Sequence, residues 1–144
     1  MKKLTQLAVL ILCIVPFISL KADETIVVIV NSDNDQALTE QDVKNVYSDR
    51  IITWDDGNLI NVYNLPVTAT ARKVFAREVL GLSAREHATA ENNRKITNTI
   101  KNPSKTKRER LVITVVSRDK HAIGYVTKTA LKEVGRVRVL FELQ

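Results

Sequence analysis

The sequence predicts a single α/β domain, and three observations predict it. A β-branched run, T-I-V-V-I-V from Thr25 to Val30, ends in the polar stretch Asn31-Ser32-Asp33-Asn34-Asp35 and so reads as a strand feeding a loop. Behind that loop, and again after Pro66, apolar residues recur at helical spacing, so strand and helix patterns alternate along the chain. The length of 144 residues suits one domain, and 44% apolar with 26% charged residues excludes disordered and collagen-like chains.

The first 22 residues stand apart from the fold. Lys2 and Lys3 precede an almost unbroken apolar run from Leu7 to Leu20, and Ala22 supplies a small residue behind it, the three-part pattern of a secretory signal peptide. The run is about 14 residues long and contains Pro16, whereas a membrane span takes roughly 20. Leu12 argues against lipoprotein processing at Cys13, which favours a small residue there. Cleavage after Ala22 is therefore expected, giving a signal segment over residues 1–22 and a periplasmic domain over residues 23–144. Without Lys2, Lys3 and Lys21 the 22 basic residues become 19 against 16 acidic ones, and the net charge falls from +6 to +3. Cys13 leaves as well, and a domain without cysteine has no disulfide, thiol catalysis or thiolate metal site.

The elements follow in order. Continuous apolar character over Thr25–Val30 is that of a strand buried on both faces. Thr39 offers an N-cap with Asp42 three residues on, and Val43, Val46 and Tyr47 mark one side of a helix from about Glu40 to Ser48. Asp55-Asp56-Gly57-Asn58 is a turn, and Leu59–Tyr63 alternates as a second strand that Pro66 ends. From Thr68 or Thr70, either able to cap, a helix runs with Ala71, Val74, Phe75, Val79 and Leu82 at core-facing spacing and Gly81 as its stop. Ser83 with Glu86 makes another capping box and opens a mostly polar helix.

Leu111–Val116 has strand propensity, yet Val112, Val115 and Val116 also satisfy helical spacing. Ala122–Val126 is a strand candidate, Thr127–Val134 a short helix, and Arg136–Leu143 a last strand with Val137, Val139 and Phe141 alternating. His87 and His121 match no metal or catalytic spacing and read as surface or turn residues. Residues 94–110 hold seven basic side chains against one acid, Glu109. Such a run is either a solvated loop or a surface that attracts an acidic partner or an anionic membrane. An export address argues against nucleic acid as a partner.

Taken together, these segments resemble the phosphate-binding proteins of ABC-type phosphate uptake, specifically their short single-domain relatives. The resemblance rests on V-V-I-V-N at Val27–Asn31, L-T-E-Q-D-V-K-N-V-Y-S-D-R-I-I-T-W-D-D-G at Leu38–Gly57, A-R-K-V-F at Ala71–Phe75 and A-I-G-Y-V at Ala122–Val126, and spans nearly all of residues 25–127. It implies a single periplasmic-binding-protein-like lobe, a mixed sheet flanked by helices. It also implies a helix before A-I-G-Y-V, which sides with helix over strand for Leu111–Val116. Gly124 then serves close packing, and Asp49 stands where relatives often carry glycine, in a turn that aspartate tolerates. The glycine-rich segments that build the second lobe have no counterpart here, so any ligand would sit in a half-site open to water.

In relatives with a full site, an arginine and then S-G-T precede the helix that bears the matching phenylalanine, and N–H groups at that helix start cradle the anion. Counted back from Phe75, the arginine position is Leu65 and the S-G-T positions are Ala69, Thr70 and Ala71. Charge and two of the three small polar contacts are missing. Thr68 and Thr70 remain as hydroxyl donors, and Arg72 either replaces the charge or is a surface residue. Asn31 and Ser32, where the first strand ends, either bind the ligand or form a capping turn. The ligand residues so expected are Asn31, Ser32, Thr68, Thr70 and Arg72.

The favoured function is an exported, non-enzymatic substrate-binding-protein-like domain that takes phosphate or a similar small oxyanion for ABC-type uptake, with a membrane transporter or another periplasmic protein as partner. The alternative is an accessory module that has kept the lobe and lost the ligand, consistent with Leu65 and Ala69. No catalytic residue, cofactor or metal site is assigned, because no nucleophile stands beside a base and Asp55 and Asp56 are explained by their turn.

Overall fold

The computed structural model describes residues 24–132 and 135–144. The expected signal segment, residues 1–22, lies outside the described residues, as does the end of the helix expected over Thr127–Val134. In chain order the elements are β1 (Ile26–Asn31), α1 (Glu40–Tyr47), β2 (Asn61–Asn64), α2 (Thr70–Phe75), α3 (Ala84–Ile96), β3 (Lys105–Thr106), α4 (Glu109–Arg118), β4 (Ala122–Thr127) and β5 (Val137–Leu143). Among the described residues no helix is long and apolar enough to cross a membrane.

The strands form one mixed sheet in the order β3-β2-β4-β1-β5. β1 is antiparallel to both of its neighbours, β4 and β5, while β2 is parallel to β4 and to β3. Every residue of β1 is buried, as its unbroken apolar run requires of a strand covered on both faces. Neighbouring residues of β4 show what covers each face, since successive side chains point to opposite sides of a sheet. A Cβ on Gly124 would strike Val112 of α4, so α4 packs on that face. Tyr125 stacks on Phe75 of α2 on the other.

Helix boundaries follow their caps. Thr39 and Asp42 form a reciprocal capping box at α1, as do Ser83 and Glu86 at α3. Asp49 closes the turn after α1 in the left-handed region, at φ 63°, and its carboxylate then accepts the N–H groups of Lys101 and Asn102. α2 widens into a π turn over Ala76–Leu80 and stops at Gly81, φ 68°. α4 settles the two readings of its segment, because Val112 and Val116 are buried one turn apart.

Several expectations are corrected. Neither Thr68 nor Thr70 caps α2; the N-cap is Ala69, which has no side-chain oxygen to offer. The second strand is shifted toward Asn64, because Asn61 and Val62 pair with Ala122 and Ile123, leaving Leu59 an isolated bridge to Thr53. In β5 the register slips, so that Val139 faces Ile29 and Phe141 faces Val28. Those two β1 residues are consecutive, so a bulge at Leu140 puts Val139 and Phe141 on opposite faces and breaks the expected alternation. After β4 the described chain forms only a 3₁₀ turn, Lys128–Ala130. His87 is buried at 3% exposure, not a surface residue. Its Nε2 lies 2.9 Å from the Tyr47 carbonyl, which can only accept, so Nε2 carries the proton.

Candidate anion half-site

Parallel β2 and β4 end on the same side of the sheet, and there the chain leaves a hollow of about 330 Å³. Leu65, Ala69, Thr70 and Ala71 form one wall, and Arg108, Glu109 and Thr127 form another. The first four are the positions that the resemblance sets against an arginine and S-G-T, and they line one concavity. Two helix starts border it, α2 and α4, and neither carries a side-chain cap. Uncapped first-turn N–H groups are donors in search of an acceptor, and the helix dipole makes that end favourable for negative charge.

The charges in the hollow are mixed. Arg108 is exposed and supplies the one cation among the lining residues, while Glu24 and Glu109 supply carboxylates. Oε1 of Glu109 accepts the backbone N–H of Thr127, and Glu24 accepts the Thr129 hydroxyl at 3.1 Å. The Glu109 carboxylate thus already answers one donor that an incoming anion would use.

A polar relay reaches the lining residue Leu65, whose backbone N–H donates to the Tyr125 hydroxyl at 3.4 Å. Glu91 accepts the Ser104 hydroxyl at 2.7 Å, Ser104 accepts from Nδ2 of Asn64 at 2.9 Å, and Oδ1 of Asn64 accepts the Tyr125 hydroxyl at 2.8 Å. Burial raises the Tyr125 hydroxyl well above its ordinary value, so it stays protonated and donates. Burial works against the Glu91 carboxylate, but hydrogen bonds from Lys95 and Ser104 prevail and lower it. The relay ties α3, β2 and β4 together.

The five expected ligand residues separate. Thr70 lines the hollow, and Thr68 is exposed on the loop before it. Arg72 is buried at 4% exposure, is not among the lining residues, and donates from Nη1 to the Leu65 carbonyl at 2.6 Å, so it fastens α2 to the end of β2. Asn31 and Ser32 stand at the opposite end of β1, since Ile26, not Asn31, pairs with Thr127. Five strand steps, about 17 Å, intervene. Asn31 donates to the Val116 carbonyl at 2.8 Å and accepts the Asp33 N–H at 2.9 Å, the capping-turn alternative. The backbone N–H of Ser32 donates to the Arg136 carbonyl.

Arg108, Glu109 and Thr127 are far from Thr70 in sequence; Arg108 and Glu109 belong to the basic run 94–110, which reads as a solvated loop or a surface for an acidic partner or an anionic membrane, and Thr127 reads only as a helix start. One signal for them exists: Arg108 precedes an apolar helix where Ser, Thr, Asp or Asn would be expected as cap, the same vacancy as at Ala69. Among the described residues no group of three or more His, Cys, Asp or Glu is placed to hold a metal ion.

Compared by sequence, the chain matches no family model and no curated protein. Compared by structure, it is similar to an ABC-type phosphate transport receptor from Vibrio cholerae, with a TM-score of 0.61 at 15% identity over 81% of this chain and 45% of that one. It is similar to a possible phosphate binding protein from Planctomyces limnophilus to the same TM-score, 0.61, at 12% identity over 81% of this chain and 40% of that one. The chain thus spans less than half the length of either structure. Its mixed sheet with helices on both faces is the fold of a single periplasmic-binding-protein-like lobe.

Proposed function

We propose that this chain is an exported, non-enzymatic substrate-binding-like protein that offers a half-site for phosphate or a similar small oxyanion at the hollow between α2 and α4, in the service of ABC-type uptake. The observation that carries the reading is the joint opening of two uncapped helix starts onto one cavity beside Thr70 and Arg108. The names of the two similar structures, a phosphate transport receptor and a possible phosphate binding protein, support the ligand class. The apolar run behind Lys2 and Lys3 supports export to the periplasm. A membrane transporter is the natural recipient of the ligand.

A site open on one side, with two carboxylates in its walls, holds an anion weakly. Titration calorimetry of the purified protein with orthophosphate tests the reading: heat that saturates in the millimolar range and vanishes in Arg108→Gln and Thr70→Ala supports it. Absence of heat and of any thermal shift would leave the chain as an accessory module that has kept the lobe and lost the ligand.

A further inference from the structure

A second hollow, of about 390 Å³, lies along the outward side of α4, lined by Arg110, Thr114, Ser117 and Arg118 of the helix and by Ala130 and Lys132 after β4. Among the described residues three cations line it and no carboxylate does. Four basic side chains of the described surface pair with acids, Arg77 with Glu78, Lys95 with Glu91, Lys128 with Glu142 and Arg136 with Asp33. Among the described residues Arg110, Arg118 and Lys132 form no such pair, and all three are exposed.

The donors in this groove are of one kind. The Thr114 hydroxyl donates back to the Arg110 carbonyl at 3.0 Å and that of Ser117 to the Thr114 carbonyl at 2.8 Å. Their protons are therefore engaged, and hydrogen bonds to a ligand come from the two guanidinium groups and the ammonium. Such donors select an anion, and the planar guanidinium fork matches phosphate oxygens in pairs. Arg110, Thr114 and Arg118 succeed one another at four-residue steps on one helix face, which puts the two arginine backbones about 12 Å apart. A single orthophosphate between them leaves one fork under-used, whereas a chain of linked phosphates reaches both. Three positive charges in so small a volume also call for a compact ligand of two or more negative charges, more than a lone carboxylate carries.

We propose that the α4 groove binds an oligophosphate group, two or more linked phosphates, at a site separate from the hollow between α2 and α4. The phosphates come either as a free inorganic chain or as the tail of a nucleoside triphosphate, and the groove recognises what the two share.

The test is calorimetric titration of the purified protein with inorganic triphosphate, ATP and orthophosphate at low ionic strength. Inorganic triphosphate is expected to bind at least about tenfold more tightly than orthophosphate, and added salt to weaken it. The double variant R110Q/R118Q is expected to lose at least about tenfold of that affinity, while T70A and R108Q leave it unchanged. ATP matching inorganic triphosphate identifies the phosphate chain as the whole determinant; ATP binding with inorganic triphosphate silent overturns the proposal. It is equally overturned by equal affinity for orthophosphate and triphosphate, or by triphosphate binding indifferent to R110Q/R118Q. Arg110 and Arg118 are exposed, and an unchanged thermal melt of the variant separates lost binding from lost fold.

Discussion

Tyr125 donates its phenolic proton to Oδ1 of Asn64 over 2.8 Å while its ring lies parallel to Phe75, 3.9 Å away and within 2°. One side chain thereby joins the hydrogen-bonded relay from α3 through β2 to the apolar layer under α2. Tyr125→Phe keeps the stack and removes the hydroxyl, leaving the buried Asn64 oxygen without its donor. A loss of about 1–3 kcal/mol in unfolding free energy is expected, read from urea denaturation. An unchanged midpoint would mean that Asn64 has another donor and that the relay does not hold β2 to β4.

Gly124 meets α4 without a side chain between them, and a Cβ there would collide with a methyl of Val112. Gly124→Ala is expected to destabilise by about 1–3 kcal/mol through overpacking, and Val112→Ala in the same chain to recover part of the loss. The double-mutant cycle is the measurement. Strictly additive losses would show that α4 shifts freely off the sheet.

Acid sensitivity follows from the buried groups of α3. Burial lowers the His87 imidazole below its ordinary 6.5, opposed by the Tyr47 carbonyl and reinforced by the nearby charges of Arg72 and Arg94 against that of Glu91. The folded protein therefore binds fewer protons at His87 than the unfolded chain does. Its contribution is intact above about pH 6.5 and is lost as pH falls below that value. Glu91, lowered from 4.5, adds a loss of the same sign at more acid pH. Urea midpoints are expected to fall steadily from about pH 7 to 4, and His87→Gln to flatten the part above about pH 5. A flat wild-type profile between pH 7 and 5 would contradict a neutral, buried His87.

What the sequence makes legible is local. The capping boxes at Thr39 and Ser83, the Gly81 stop and the buried run of β1 are each decided within a few residues, and all appear where their patterns stand. The site is different in kind. Thr70 and Arg108 come together only because β2 and β4 end on the same side of the sheet, and nothing in either neighbourhood records that pairing. Asn31 and Ser32 are expected beside Thr70 because strand ends gather ligands, yet β1 runs against β4 and carries them to the opposite end of the sheet. His87 misled for a related reason: its polar neighbours Asn92 and Asn93 suggest a solvated helix, while α3 turns one narrow side inward, with Ala84, His87 and Glu91.

Glu109 decides how well the hollow can hold an anion. Its carboxylate sits at the start of α4 and accepts the Thr127 N–H, so phosphate entering between α2 and α4 meets both a competitor for donors and a like charge. Glu109→Gln keeps an oxygen to accept from Thr127 and removes the charge. One unit charge a few ångströms from the anion is worth about 1 kcal/mol in water, so phosphate affinity should rise about fivefold or more. Glu109→Asp serves as the control, since it retains the charge while drawing the carboxylate back. Calorimetric titration of both variants against orthophosphate checks the point. If Gln and Asp bind phosphate alike, Glu109 does not face the bound anion, and the anion, where it binds, lies elsewhere on the lobe.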